Sequence, residues 1–310
     1  MRLIYLGTPT FAAYPLEALV QAGYEIAAVI TQPDRPAGRH GQLRPPPVKV
    51  VAEQLGLRVL QPETLRDEGV VEQLRQLQPD VGIVAAYGEI LRRNVLEIPP
   101  LGYLNIHPSL LPFYRGPSPV TAAILAGDEV TGVTIMKLER AMDAGPILAQ
   151  ATIPLQPTAR TGPLTEELFR IGAQLLLEVL PLYASGAIVP HEQDHSRATV
   201  TKLLAKEDGI IDWSLPAIVI ERMTRAYDSW PGARTTWRGQ QLLVRAARVH
   251  PDWHGPEPPG TVLNAPSLLI ATGSGALELL EVQPAGKRPM PGDAFKRGQR
   301  DIVGQRLGDG

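Results

Sequence analysis

The sequence predicts an α/β protein: a Rossmann-like, mostly parallel sheet domain followed by a small OB-like β-barrel domain. Through the first two-thirds, short apolar runs alternate with stretches at helical spacing, the mark of a parallel sheet with crossover helices. From residue 233 onward, brief strand signals follow one another between Gly, Pro, Asn and Asp turns, as in a small barrel. A length of 310 residues suits two domains, each with a core of its own.

Taken in order, Arg2 to Leu6 is a buried-strand pattern, turned by Gly7-Thr8-Pro9 into a helix from Phe11 to Ala22. Glu25 to Thr31 gives a second strand, and helices follow over 48–55 and from Leu65 to Leu77, the latter with Val70, Leu74 and Leu77 on one face. Val81 to Ala86, bounded by Pro79-Asp80 and Gly88, is a central strand. Residues 102–106 form the next strand, Pro119 to Ala126 a helix, and Thr131 to Leu138 a β-branched strand. Leu164, Leu168, Ile171, Leu175 and Val179 then recur at helical spacing in a long amphipathic helix. Residues 186–205 are polar and irregular and read as a linker. Beyond it lie a helix (Pro216 to Ala226) and strands at 233–237, 241–249, 261–263, 268–271 and 276–282. The expected division is therefore 1–188 for the sheet domain, 189–205 for the linker and 206–310 for the C-terminal domain.

Composition narrows the class. The chain is 44% hydrophobic and 20% charged, and its longest apolar runs, such as Leu175 to Leu180, are far too short to span a bilayer. Met1 to Gly7 runs straight into Thr8-Pro9 and reads as a first strand, not as a secretory leader. With no cysteine there is no disulfide framework and no thiolate chemistry. A cytoplasmic enzyme with no membrane partner is the simplest expectation. A net charge of -2 argues against a non-specific nucleic-acid binder but leaves a local basic surface open.

Chemistry concentrates at Asn105-Ile106-His107-Pro108. Side chains alternate along a strand, so Asn105 and His107 share a face where the strand gives way to a loop. Open α/β sheets bind ligands at such carboxyl ends. An amide, an imidazole and a more distant carboxylate at Asp143 are the parts needed to hold an oxyanion and move a proton.

Other motifs carry less. Gly7 stands where a dinucleotide site has three spaced glycines, and Pro9 removes a backbone donor, so nicotinamide chemistry is not expected. His191 and His195 are four apart, but Pro190 and the polar surroundings favour a linker over a metal site. The stretch from Gln32 to Arg44 is a long loop after a strand end, bearing Arg35, Arg39 and Arg44. Such loops are often functional, and arginine's fork of donors suits phosphates and base edges.

Asn105-Ile106-His107 and Ser109-Leu110-Leu111-Pro112, followed by Arg115-Gly116, resemble the signature of folate-dependent formyltransferases. Gly127-Asp128, Thr131 to Met136 and Met142-Asp143-Ala144-Gly145 continue that pattern in order. Thr31 to Arg39, Ile211 to Ser214 and Gln283 to Met290 are similar to the branch of the family that acts on a charged tRNA.

The resemblance implies transfer of a formyl group from N10 of 10-formyltetrahydrofolate to the α-amine of methionyl-initiator tRNA, with tetrahydrofolate released and no metal required. It assigns oxyanion donation to Asn105 and His107, and proton relay to Asp143. Ser109, Leu110, Leu111 and Pro112 would line the folate pocket, with Val84, Ala86 and Tyr87 as its apolar wall. Arg35, Arg39, Arg44, Lys287 and Arg288 would contact the tRNA near its acceptor stem, and a monomer would suffice. Sugar-amine formyltransferases and formyltetrahydrofolate hydrolases share Asn105, His107 and Asp143, and stand as the alternative. Residues 31–44 taken together with 283–290 favour the tRNA.

Overall fold

The computed structural model describes residues 1–37 and 41–308. Arg39, one of the expected tRNA contacts, lies outside the described residues. In chain order the elements begin β1 (Arg2–Gly7), α1 (Ala13–Gln21), β2 (Glu25–Ile30), β3 (Arg35–Ala37), β4 (Gln42–Arg44), α2 (Pro47–Gln54) and β5 (Val59–Leu60). They continue with α3 (Glu68–Gln76), β6 (Val81–Ala85), α4 (Arg93–Leu96), β7 (Tyr103–His107), α5 (Pro119–Ala126), β8 (Val130–Lys137), β9 (Ile147–Pro154) and α6 (Thr161–Ala184). The remainder is α7 (Ala217–Ala226), β10 (Arg234–Trp237), β11 (Gln240–His250), β12 (Leu269–Ala271), β13 (Ala276–Pro284), β14 (Met290–Pro291) and α8 (Gly292–Arg297).

The chain divides into two compact units. The first comprises Met1–Pro119, Val130–Pro154 and Thr165–Thr201. Its seven-stranded sheet has the order β5-β2-β1-β6-β7-β8-β9, parallel from β5 to β7 and antiparallel from β7 to β9. β1, β6 and β7 are buried along nearly their whole length, which is why they read as continuous apolar runs. The chain leaves β1 toward β2 on one side and returns to β6 on the other. That makes β1/β6 the switch point beside which such sheets bind ligands.

On one face Ile4, Leu6, Val84, Tyr87 and Tyr103 pack with Leu65, Val71 and Leu74. Asp67 caps α3 by accepting from the Val70 amide at 3.0 Å, and Val71 is the more deeply buried of the two valines. The Tyr103 ring fills the space where a Cβ on Gly82 would sit, 2.2 Å from its nearest carbon. Over the other face, Gly172 of α6 lies close enough that a Cβ there would meet Ile106 at 2.5 Å. A residue of any size at 172 would push the helix off β7.

The second unit comprises Val120–Glu129, Leu155–Leu164 and Lys202–Gly310. Its sheet is an antiparallel half-barrel, with order β10-β11-β13-β12 and β14 also paired to β13. Two register shifts in β11, between Val244 and Ala247, interrupt its ladder with β13, as bulges that bend a strand do. α7 packs Ile220 and Met223 against Leu242, Val244, Leu277 and Leu279. Trp213 is buried in the same core and donates from Nε1 to the Thr235 hydroxyl at 3.1 Å.

Several elements depart from the sequence reading. β9, β14 and α8 were not anticipated, and residues 261–263 make only isolated bridges, Thr261 to Arg306 and Val262 to Ile270. Gly260 and Gly304 turn the chain at φ of 90° and 78° near these bridges, so no ladder extends. The stretch read as a loop after Asp34 holds a short hairpin, β3 with β4. Residues 189–201, read as linker, group with the first unit. Among the described residues, no helix is long and apolar enough to cross a membrane.

Candidate active site

Alternation along β7 sorts its side chains. Leu104 and Ile106 turn to one face, while Tyr103, Asn105 and His107 share the other. Tyr103 starts that face inside the core, and Asn105 and His107 finish it at the carboxyl end of the strand. Pro108 offers no amide to extend the ladder. Asn105 sits beside Val84 of β6 in the parallel register, and opposite Met136 of β8. It is 9% exposed, and among the described residues no hydrogen bond engages its side-chain amide. The amide is thus placed at the surface end of a rigid strand with its donors uncommitted to the protein.

His107 is 4% exposed and has an acceptor at each ring nitrogen. Nε2 lies 3.0 Å from the Tyr114 carbonyl, which can only accept, so this nitrogen carries a proton. Nδ1 faces Asp143 Oδ2 at 3.7 Å, an ion-pair distance and longer than a hydrogen bond.

Asp143 stands in the loop between β8 and β9, with φ of 49°, a left-handed conformation that Asp tolerates better than most residues. Its Oδ2 also accepts from the Gly116 amide at 2.7 Å. Gly116 itself has φ of 101°, and a Cβ there would stand 2.8 Å from the Thr201 carbonyl. A glycine is required for that amide to point at the carboxylate.

The loop from Ser109 to Pro112 is held from beneath by one hydroxyl. Thr134 Oγ1, fully buried on β8, donates to the Ser109 carbonyl at 2.7 Å and accepts from the Leu111 amide at 3.1 Å. Gln150 Nε2 on β9 donates to the same hydroxyl at 2.8 Å and to the Leu111 carbonyl at 2.9 Å. Leu111 points inward onto Met136 and Ile147, while Leu110 and Pro112 are half-buried. The Ser109 hydroxyl is spent on the Phe113 carbonyl at 2.7 Å. Thr134→Val keeps the shape but strands two loop groups and takes one of two acceptors from the Gln150 amide. It should lower stability by about 1–3 kcal/mol, read as an earlier urea midpoint with an unchanged slope. An unmoved midpoint would show that another contact holds the loop.

Of the residues expected as an apolar wall, Val84 and Tyr87 belong to the core cluster and Ala86 is exposed at φ of 49°. Burial pushes the Tyr87 phenol well above its ordinary pKa, with Glu89 adding to the effect, and among the described residues its hydroxyl has no hydrogen-bond partner.

The basic residues lie elsewhere. β3 and β4 set Arg35 directly opposite Arg44, a like-charge pair that a hairpin does not favour. Glu63 lies 3.7 Å from Arg35, and both side chains are exposed. The root of the hairpin is firm: Asp34 accepts from Gln61 Nε2 at 2.6 Å and from Lys49 Nζ at 3.0 Å. Those two contacts, Gln61 first, hold its carboxyl below the usual aspartate range. Lys287 and Arg288 are exposed in the turn after β13, in the second unit.

The segment read as a linker bears on the site. Gln193 and Arg115 are both buried and joined, and Arg115 also donates to His195 Nδ1 at 2.9 Å. That contact occupies one nitrogen of the histidine pair considered for metal. Among the described residues, no group of three or more His, Cys, Asp or Glu side chains could hold a metal ion.

Comparison with known proteins gives matches along nearly the whole chain. Residues 1–180 match the family described as formyl transferase, and residues 203–300 match the formyl transferase C-terminal domain. A methionyl-tRNA formyltransferase of Chloroflexus aurantiacus is 67% identical over 302 residues, covering 96% of this chain and 97% of that protein. An N-formyltransferase from Helicobacter canadensis, solved with folinic acid and dTDP-3-aminofucose, superposes with a TM-score of 0.67 at 16% identity. That match covers 92% of this chain and 99% of the solved one. HypX from Aquifex aeolicus, solved with tetrahydrofolic acid, gives 0.63 at 19% identity over 98% of this chain and 48% of its own. At those identities the solved structures speak for the fold alone.

Proposed function

We propose a formyl transfer for this chain, which belongs to the formyl transferase family and, within it, to the methionyl-tRNA formyltransferases. The donor is 10-formyltetrahydrofolate and the acceptor is the α-amine of methionine esterified to initiator tRNA. The observation that carries the reading is Asn105 and His107 on one face of β7 with Asp143 beside His107 Nδ1.

The neutral amine forms a bond to the formyl carbon, and the carbonyl electrons move onto oxygen. Asn105 Nδ2 and His107 Nδ1–H, which at 3.7 Å from Asp143 is not committed to a hydrogen bond, donate to that oxyanion; placed donors of this kind are worth about 2.7–4 kcal/mol each in the transition state. The attacking nitrogen must lose a proton, and Asp143 receives it, directly or through water. The intermediate then collapses, the carbon–N10 bond breaks and the proton passes to N10 of the departing tetrahydrofolate. No metal is needed for this sequence of steps. Ser109 to Pro112, held by Thr134, form the folate-binding loop, with Val84, Ala86 and Tyr87 as the apolar wall of the pocket. Holding two large reactants at attack distance contributes a further ~7–11 kcal/mol.

The exposed Arg35–Arg44 pair supports a polyanionic acceptor, because phosphates would relieve the repulsion that the register imposes. Arg39 belongs to the same stretch, and Lys287 and Arg288 supply a second contact with the tRNA body near the acceptor stem. We place the enzyme in the cytoplasm, acting as a monomer on residues 1–188, with 206–310 as the tRNA-holding domain. An acceptor panel tests this: charged initiator tRNA, methionine ethyl ester, a nucleotide-linked amino sugar and water. Formylation of the tRNA well above the other three is expected. Preferential turnover of the sugar amine, or formate release, would point to a sibling activity. Arg39→Ala should reduce kcat/KM for initiator tRNA at least tenfold while turnover of the ester stays within two-fold. Equal losses on both acceptors would remove Arg39 from tRNA recognition.

A further inference from the structure

We infer that Gln193 is a positioning residue for the proton relay at Asp143, an assignment that rests on the reaction proposed above. The side chain is 5% exposed, and every polar atom of its amide is used. Nε2 donates to the Asp143 carbonyl at 2.9 Å and to the Gly145 carbonyl at 2.7 Å. Its Oε1 accepts from Arg115 Nε at 3.1 Å and Nη2 at 2.7 Å. That doubled contact fixes which end of the amide carries the donors, since the guanidinium can only donate.

The arrangement answers a problem set by the loop between β8 and β9. Asp143 sits at φ of 49°, where a side chain is strained, so the loop needs contacts beyond its own turn to stay there. Gly145, two residues on, is packed so closely that a Cβ would stand 2.0 Å from the Lys137 carbonyl. Gln193 takes both carbonyls of this turn, and so fixes the backbone from which the Asp143 carboxylate projects toward His107.

The other partner of that carboxylate is held by the same segment. The Arg115 amide donates to the Thr199 carbonyl at 2.9 Å, and the Thr201 amide donates to the Arg115 carbonyl at 2.7 Å. Tyr114 donates its amide to Thr199 Oγ1 at 2.8 Å. Tyr114 supplies the carbonyl on His107 Nε2, and Gly116 supplies the amide on Asp143 Oδ2. Residues 193–201 thus set both the strand-end loop and the Asp143 turn, and Gln193 with Arg115 is where the two are tied together.

Two variants and one double mutant test the inference. Gln193→Leu removes the donor and the acceptor with little change of volume. Gln193→Glu keeps the partner for Arg115 but turns an oxygen toward the two carbonyls. Both should lower kcat tenfold or more, with KM for 10-formyltetrahydrofolate and for methionyl-tRNA within two-fold of the parent. Added to Asp143→Asn, Gln193→Leu should cost no more than a further two-fold, because both act through one group. If Gln193→Leu gives no folded protein, Gln193→Glu decides by the same kcat and KM values. Parental kcat in either folded variant, or a full tenfold loss on the Asp143→Asn background, would overturn the inference. Undiminished turnover in Asp143→Asn alone would instead overturn the relay reading, and is seen without touching Gln193.

Discussion

Asp143→Asn should reduce kcat by about 10²–10⁴-fold while tetrahydrofolate binding stays within two-fold. The substitution is nearly isosteric, and an amide oxygen can still accept from the Gly116 amide that now bonds Oδ2 at 2.7 Å. The turn therefore keeps its shape. What disappears is the negative charge facing His107 Nδ1 at 3.7 Å, together with the base that the proposed scheme offers to the attacking amine. Single-turnover formylation at saturating donor reads the chemical step, and fluorescence titration with tetrahydrofolate reads binding. Comparable loss in both would make Asp143 a structural residue. Full turnover would remove it from proton transfer altogether.

Asn105→Ala should lower kcat by about 10²–10³-fold and leave the unfolding midpoint almost unchanged. The split follows from its surroundings. On β7 the neighbours Leu104 and Ile106 carry the packing, and the Asn105 amide serves no hydrogen bond among the described residues. Truncating it strands no protein partner. An oxyanion forming beside His107 would lose one of its two donors, in a pocket where water is a poor substitute. A stability loss matching the activity loss would show that Asn105 works by packing.

Much of this was legible in the chain. The apolar runs at Arg2–Gly7, Val81–Ala85 and Tyr103–His107 are continuous because both faces are covered, and continuity is what marks a central strand. Asn105 and His107 could be placed on one face by counting alone, since the period of a strand is two. Asp143 could be named as the carboxylate such chemistry needs, while its proton-relay role came from the family resemblance. Its approach depends on β9, where Ala149 and Ala151 alternate with Gln150 and Thr152, a strand signal too weakly apolar to stand out.

Harder to see was everything held by side chains across long separations. Gln193 lies 50 residues from Asp143 and 78 from Arg115. Pro190 to His195 carries no period, so polarity alone made it look like linker. Short pieces such as β3 with β4 were invisible for another reason: three residues give too little pattern to count. The Arg35–Arg44 register came only from the fold, yet it gives the basic stretch its charge logic.

Lys287 and Arg288 show the opposite limit. Their exposure in a turn after β13 was foreseeable from Ala285-Gly286, but exposure does not choose a ligand. The donor and the chemistry rest on the first unit, and the acceptor rests on the close similarity to methionyl-tRNA formyltransferases along both units.

The most direct measurement follows a labelled formyl group from 10-formyltetrahydrofolate in a rapid-quench experiment with charged initiator tRNA, for the parent protein and Asn105→Ala. Label is expected on the methionine nitrogen at the same rate as tetrahydrofolate appears, with both rates falling together in Asn105→Ala. Label released as formate, or transfer that proceeds undiminished in Asn105→Ala, would contradict the mechanism.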